Sequence, residues 1–211
     1  MIFKNREQAW KLLWEYIKRI FKVDDPNKWL VLAIPRWWIP VAWRVSKILK
    51  IPMDILVVKK LAPLAFPEYW FWAMDPDGNM LIDTVYMRSL WVDDQQLAMI
   101  QSKTINEIAR KLEKYAKWKL PDVNWKNVII VDDGVATGFT VAVAANWAKR
   151  HGANKVILAV PVCPADIDLK LNRFFDQIIC LSPQQNFQAV WQFYEDFHQV
   201  DDEEIKKYRE I

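Results

Sequence analysis

Residues 128–140 read VIIVDDGVATGFT, and residues 141–160 continue VAVAANWAKRHGANKVILAV. Val128 to Val131 is an unbroken β-branched run, the pattern of a strand buried on both faces. From Val141 to Arg150 the chain turns Ala-rich with apolar residues at helical spacing. Gly152 supplies a helix stop, and Lys155 to Val160 is a second buried strand. Strand, helix and strand make one βαβ unit, which joins parallel strands through a right-handed crossover. The carboxyl ends of such strands face the ligand crevice, and the following helix offers unpaired N–H groups and the positive end of its dipole. Gly138 lets the backbone approach a guest closely while Thr137 and Thr140 add hydroxyl donors, so a phosphate suits the turn 136–140. Asp132 and Asp133 would repel phosphate unless they bind hydroxyls or a metal, and a sugar phosphate satisfies both halves. The plainer alternative is a strand-ending Asp-Asp-Gly turn with Thr140 as a helix cap. It accounts for the parts but not for the whole strand, acid pair, loop and helix in this order.

This stretch resembles the phosphoribosyl-pyrophosphate (PRPP) signature of type I phosphoribosyltransferases: four hydrophobic residues, two acids, then a phosphate loop. The resemblance extends over most of the chain. VLAIPRWWIPVAWRVSKIL (31–49), ILVVKKLAPLAFPEYWFWAM (55–74) and QQNFQAVWQFYEDFHQVDDEEI (184–205) are similar to a subgroup of this family whose acceptor is generally unassigned. The resemblance implies an open, mostly parallel α/β sheet of Rossmann-like type, flanked by helices, in the order 3-2-1-4-5-6 with the third strand antiparallel. It also implies a small hood that recognises the acceptor.

Composition agrees with one such domain over residues 1–211, a length that can bury a full α/β core. The charge balance of 29 basic and 26 acidic residues, net +3, carries no strong nucleic-acid signal, so any cationic site is local. Cys163 and Cys180 have no metal-ligand spacing and read as buried thiols in a reducing compartment. No secretory segment and no apolar run of about 18 residues is present, so a soluble cytoplasmic protein without membrane contact is expected. The periodicity predicts a helix from Arg6 to Phe21 with Leu12, Leu13, Tyr16, Ile17 and Ile20 on its core face. Strands are predicted near 29–34, 54–58, 127–132, 155–160 and 177–181, a hairpin around DPDGN (75–79), and a helix from Gln95 to Tyr115. The hood is expected from the N-terminal helix, part of 63–125 and the C-terminal tail.

By the resemblance, Asp132 and Asp133 contact the ribose hydroxyls, directly or through water and Mg²⁺, and the loop Gly134, Val135, Ala136, Thr137, Gly138, Phe139 and Thr140 cradles the 5′-phosphate. Pro35, Arg36, Trp37 and Trp38 fall where the family has its pyrophosphate loop, and the Arg36 guanidinium can grip phosphoryl oxygens bidentately. Lys59 and Lys60 match the basic pair at the base of the family's mobile loop. Adjacent strand residues point to opposite faces, so one of them, Lys60, is expected to reach the ligand and Lys59 to be a solvated edge residue. Catalysis would rest on positioning and electrostatics: Mg²⁺, Arg36 and Lys60 on the departing pyrophosphate, the two acids on a ribose ring gaining positive charge. His151 and His198 read as surface residues near helix ends.

The chain has 13 Trp and 4 Gly, where an average near 7% would give about 15 Gly. Trp37, Trp38, Trp70, Trp72, Trp125 and Trp191 stand where relatives commonly carry Gly. Two explanations stay open: a remodelled first loop, obstructed for pyrophosphate, or a codon such as UGA that the source reads as glycine. The function expected is a pentosyltransferase, moving the phosphoribosyl group of PRPP to a nitrogenous acceptor such as a nucleobase with release of pyrophosphate. The alternative is a catalytically impaired PRPP- or nucleotide-binding regulatory protein. A homodimer is compatible with either.

Overall fold

A computed structural model describes residues 1–20, 23–34, 39–61, 72–82, 93–116 and 119–197. Five parallel strands form the main sheet: β1 (Trp29–Ala33), β2 (Met53–Ile55), β6 (Asn127–Val131), β7 (Lys155–Pro164) and β8 (Gln177–Gln184). Their order is β2-β1-β6-β7-β8. Strand alternation divides their side chains between two cores. Val31, Ala33, Ile129, Val131, Ile157 and Ala159 face one side, shared with α1 (Arg6–Ile20) and α2 (Ile39–Leu49). Leu30, Leu32, Val128, Ile130, Val156, Leu158 and Val160 face the other, beneath α4 (Phe139–Arg150) and α5 (Ile167–Leu171). Cover on both faces explains the continuous apolar runs of β1, β6 and β7.

This is the 2-1-4-5-6 part of the expected order. The antiparallel third strand is not on the β2 edge among the described residues. Antiparallel pairing occurs instead in a separate sheet, β3 (Lys59–Leu61), β4 (Trp72–Met74) and β5 (Met80–Ile82), which forms the hood. The physical reason lies in its two covered faces: Leu61, Trp72 and Met74 share a core with α3 (Asp94–Ala116), while Ala73 packs toward α4. The predicted hairpin at 75–79 is the β4–β5 turn, with Gly78 at φ +82°. On α1 the buried stripe is Arg6, Ala9, Trp10, Leu13, Trp14 and Ile17. Ile20, expected on the core face, does share the face of Ala9 and Leu13, but it is the last residue of the helix and is 46% exposed. The expected contributions of Trp70, His198 and the tail beyond 197 lie outside the described residues.

The hood is fastened to the C-terminal end of α4. Asp75, fully buried, accepts the backbone N–H groups of Asp77 and Asn79 at 3.0 Å and an Arg150 Nη2 bond at 2.6 Å. His151, partly exposed as expected, lies 2.9 Å from Asp77 and stacks on Trp147 with ring centroids 4.2 Å apart. Asp75→Ala removes these bonds to a buried carboxylate, and a longer one from Asn79 Nδ2 at 3.4 Å, and is expected to cost about 2–4 kcal/mol. Thermal and urea melts check this, and a Tm within a degree of wild type would contradict the fastening.

Candidate functional site

β6 ends at Val131 at the mouth of the sheet, where the Asp132 N–H still donates to the Ala159 carbonyl of β7 at 3.3 Å and the Asp133 N–H leaves the ladder for the Asp132 side chain. There Asp132 and Asp133 are buried, at 7% and 5% exposure, on the wall of an open cavity of ≈ 480 Å³. Asp132 accepts the Asp133 backbone N–H at 2.9 Å. Asp133 receives the Arg6 Nε–H at 2.7 Å on Oδ2, and its carbonyl accepts the Tyr194 hydroxyl. Burial pushes the Asp132 carboxyl well above the usual carboxylate range, the neighbouring Asp133 adding to the rise while Lys60 and Arg6 oppose it. Burial lifts Asp133 to about 6 against the pull of Arg6. Burial and the adjacent acids push the Tyr194 phenol up, so it stays a donor.

The loop 134–140 follows directly. Val135 donates its N–H to the Val162 carbonyl at 3.0 Å, and Gly138 caps α4 in the left-handed region, φ +81°, with no side-chain cap. The first turn of α4 therefore keeps donors with no partner inside the helix. Thr140, expected to donate to a ligand, has its Oγ1 buried without a hydrogen-bond partner on the cavity wall. Besides the close approach expected of Gly138, the fold itself requires glycine there. A Cβ there would meet Leu171 at 2.8 Å, so packing and backbone conformation demand glycine. Gly134 is likewise hemmed in, with Val190 and Val162 at 2.7 and 2.8 Å from a would-be Cβ.

Lys59 and Lys60 both border the cavity. Lys60 is exposed and acts electrostatically on both acids. Lys59 is no solvated edge residue, for it pairs with Glu107 of α3. Pro35, Arg36, Trp37 and Trp38 lie outside the described residues. Cys163 and Cys180 are free thiols away from the loop, buried and half-buried. Sequence reasoning missed Arg6, Lys111, Tyr194, Val190 and Phe197. For Arg6 a signal existed: it shares the helical stripe of Trp10, Leu13 and Ile17, where an ion is out of place unless paired.

The donor set suits Mg²⁺, which uses one or two carboxylates and completes its shell with substrate oxygens and water. Two adjacent carboxylates, both buried and destabilised as anions, are such a pair. No group of three or more His, Cys, Asp or Glu side chains that could hold a metal unaided occurs among the described residues. No helix among them is long and apolar enough to cross a membrane.

A model of the phosphoribosyl transferase domain matches residues 82–198. Two Mycobacterium tuberculosis proteins, each called "Putative phosphoribosyl transferase", from strains CDC 1551 and H37Rv, are 36% identical over 178 residues. The alignment covers 83% of this chain and 40% of each relative, so the chain spans two fifths of the length of those proteins. The crystal structure of the protein TT1426 from Thermus thermophilus is similar with a TM-score of 0.76 and 27% identity, over 99% of this chain and 97% of that one.

The acid pair carries a stability cost with a definite sign. Unfolded, Asp132 ionises near pH 4. Folded, it holds its proton to higher pH, so stability falls as pH rises from that point through its folded value. Asp132→Asn keeps an oxygen for the Asp133 N–H and is expected to stabilise the protein at pH 7.5 by about 1 kcal/mol, or 2–4 °C in Tm. The gain should vanish below pH 4. Melts at several pH values check this, and a variant less stable than wild type at pH 7.5 would refute it.

Proposed function

The chain belongs to the phosphoribosyl transferase family, and from that premise we propose that it binds PRPP with Mg²⁺ and transfers the phosphoribosyl group to a nitrogenous acceptor, releasing pyrophosphate. The observation that carries this reading is the pairing of an uncapped helix start and an orphaned Thr140 hydroxyl with two buried carboxylates in one cavity. The first half takes the 5′-phosphate, through N–H groups that no other part of α4 uses. The second takes the ribose hydroxyls and the metal. Asp132 and Asp133 would hold Mg²⁺, directly or through water, and the ion would offset negative charge on the pyrophosphate.

The chain's own groups account for the rest. Lys60 supplies positive charge beside the acids and the leaving group. The acids favour the ring as it becomes cationic, which is electrostatic stabilisation fixed in advance of the reaction. A cavity walled by Ile34, Val58, Val190 and Trp191 gives a planar acceptor an apolar seat. A nucleobase meets that description. Arg36 of the first loop would grip pyrophosphate, as its sequence position suggests.

Calorimetry with PRPP and Mg²⁺ tests the binding half. The Asp132→Asn/Asp133→Asn variant is expected to lose at least about tenfold in PRPP affinity, one lost charge-assisted contact being worth about 1.5 kcal/mol. Thr140→Val is expected to weaken ribose 5-phosphate by about tenfold without loss of Tm, because the orphan hydroxyl contributes nothing to the empty fold. Equal affinities across wild type and variants would refute the site. Pyrophosphate release with a panel of nucleobases tests the transfer half. PRPP binding without release from any of them would favour the regulatory reading.

A further inference from the structure

We infer that Arg6 and Tyr194 are positioning residues for Asp133, a pair of clamps that aim its carboxylate at the ribose, an inference that rests on the proposed PRPP reading. Arg6 opens α1, and its side chain is 10% exposed. It reaches Asp133 from 127 residues away, its Nε–H engaging Oδ2. Asp133 Oδ1 has no hydrogen bond among the described residues, while Asp133 lines the cavity. One oxygen is thus held and the other offered. The guanidinium carbon lies 3.6 Å from the centroid of the Phe197 ring. That stacking needs a planar cation and fixes the fork from behind.

The second clamp acts on the backbone. The Tyr194 hydroxyl donates to the Asp133 carbonyl, pinning the peptide that joins the acid pair to the phosphate loop. Both clamps stand on one brace. Phe3 N–H donates to the Phe193 carbonyl at 2.8 Å, Glu195 N–H to Phe3 at 2.8 Å, and Asp196 N–H to Lys4 at 2.9 Å. A buried ion pair is a weak stabiliser, since desolvation consumes most of its attraction. Orientation is the role it serves here.

Inorganic phosphate and PRPP with Mg²⁺ separate this role from a structural one, because phosphate touches only the loop and helix start. Arg6→Ala is expected to bind inorganic phosphate as wild type does, by phosphorus NMR titration, and PRPP at least about tenfold more weakly, by calorimetry. Arg6→Lys should recover only part of the loss, lacking the fork. Should Arg6→Ala fail to fold, Tyr194→Phe carries the same comparison. PRPP affinity unchanged, or both ligands weakened alike, overturns the inference. Wild type binding phosphate but not PRPP instead removes the parent reading, and this inference with it.

A separate observation concerns position 125. Trp125 has φ +60°, donates its N–H to the Gly152 carbonyl at 2.8 Å, and leaves its indole 80% exposed. A bulky residue in the left-handed region gains nothing here from packing to offset the strain. The indole N–H groups of Trp10 and Trp72 are buried with no partner, whereas buried donors in folded proteins are nearly always paired. With 13 Trp against 4 Gly, we propose that the native polypeptide carries glycine at 125, from a codon such as UGA whose meaning differs between genetic codes. Glycine at Trp191, 60% exposed on the cavity wall, would follow and widen the acceptor seat. Peptide mass spectrometry over residues 122–127 of protein from its natural source should read Gly at 125. Tryptophan there overturns the proposal.

Discussion

Two carboxylates side by side, each shielded from water, are costly to ionise. Each raises the cost of ionising the other, and burial raises both. Everything that surrounds Asp132 and Asp133 can be read as a response to that cost. Lys60 arrives from the hood, Arg6 from the first helix, and Tyr194 from beyond the last strand. None of these fully neutralises the pair. The remaining imbalance is what a cation and a polyhydroxylated ring would relieve under the proposed reading.

Helix α4 links this centre to the hood. Its first turn holds the uncapped donors and the unpartnered Thr140, while its last turn holds Arg150 and is followed by His151, bound to Asp75 and Asp77 of the hood turn. One rigid rod thus sets the distance between phosphate cradle and hood. The strand that brings Lys60 to the cavity belongs to that same small sheet, and Lys59 beside it ties the sheet to α3 through Glu107. Placing Lys60 on the fastened sheet keeps its position relative to the acids well defined.

The βαβ unit that holds the acids and the loop was legible in sequence because its signals are local: a β-branched run, an Asp pair, glycines and an Ala-rich helix. Residues that complete the site were not. Arg6 and Tyr194 reach Asp133 across 127 and 61 positions, and no local pattern encodes such a meeting. The mostly parallel sheet and the hood were legible, but the pairing of β3, β4 and β5 with one another was legible only at the 75–79 hairpin, for a similar reason. Hydrogen-bonding partners of a three-residue strand depend on which faces α3 and α4 cover, not on the strand's own composition. Gly138 was singled out for close approach to a ligand, and the fold's own demand for glycine there has a further cause. Its φ and the Leu171 side chain supply the cause.

The brace between Phe3 and residues 193–196 also orders events during folding. Contacts within β6, α4 and β7 close short loops and form at little entropic cost, so the phosphate cradle can assemble early. The brace joins segments from opposite ends of the described chain. Only its closure delivers Arg6 and Tyr194 to Asp133. Until then the cradle stands complete beside an acid with no aim. On the PRPP reading proposed above, the acid that would meet the ribose is therefore oriented last, when the whole domain has closed.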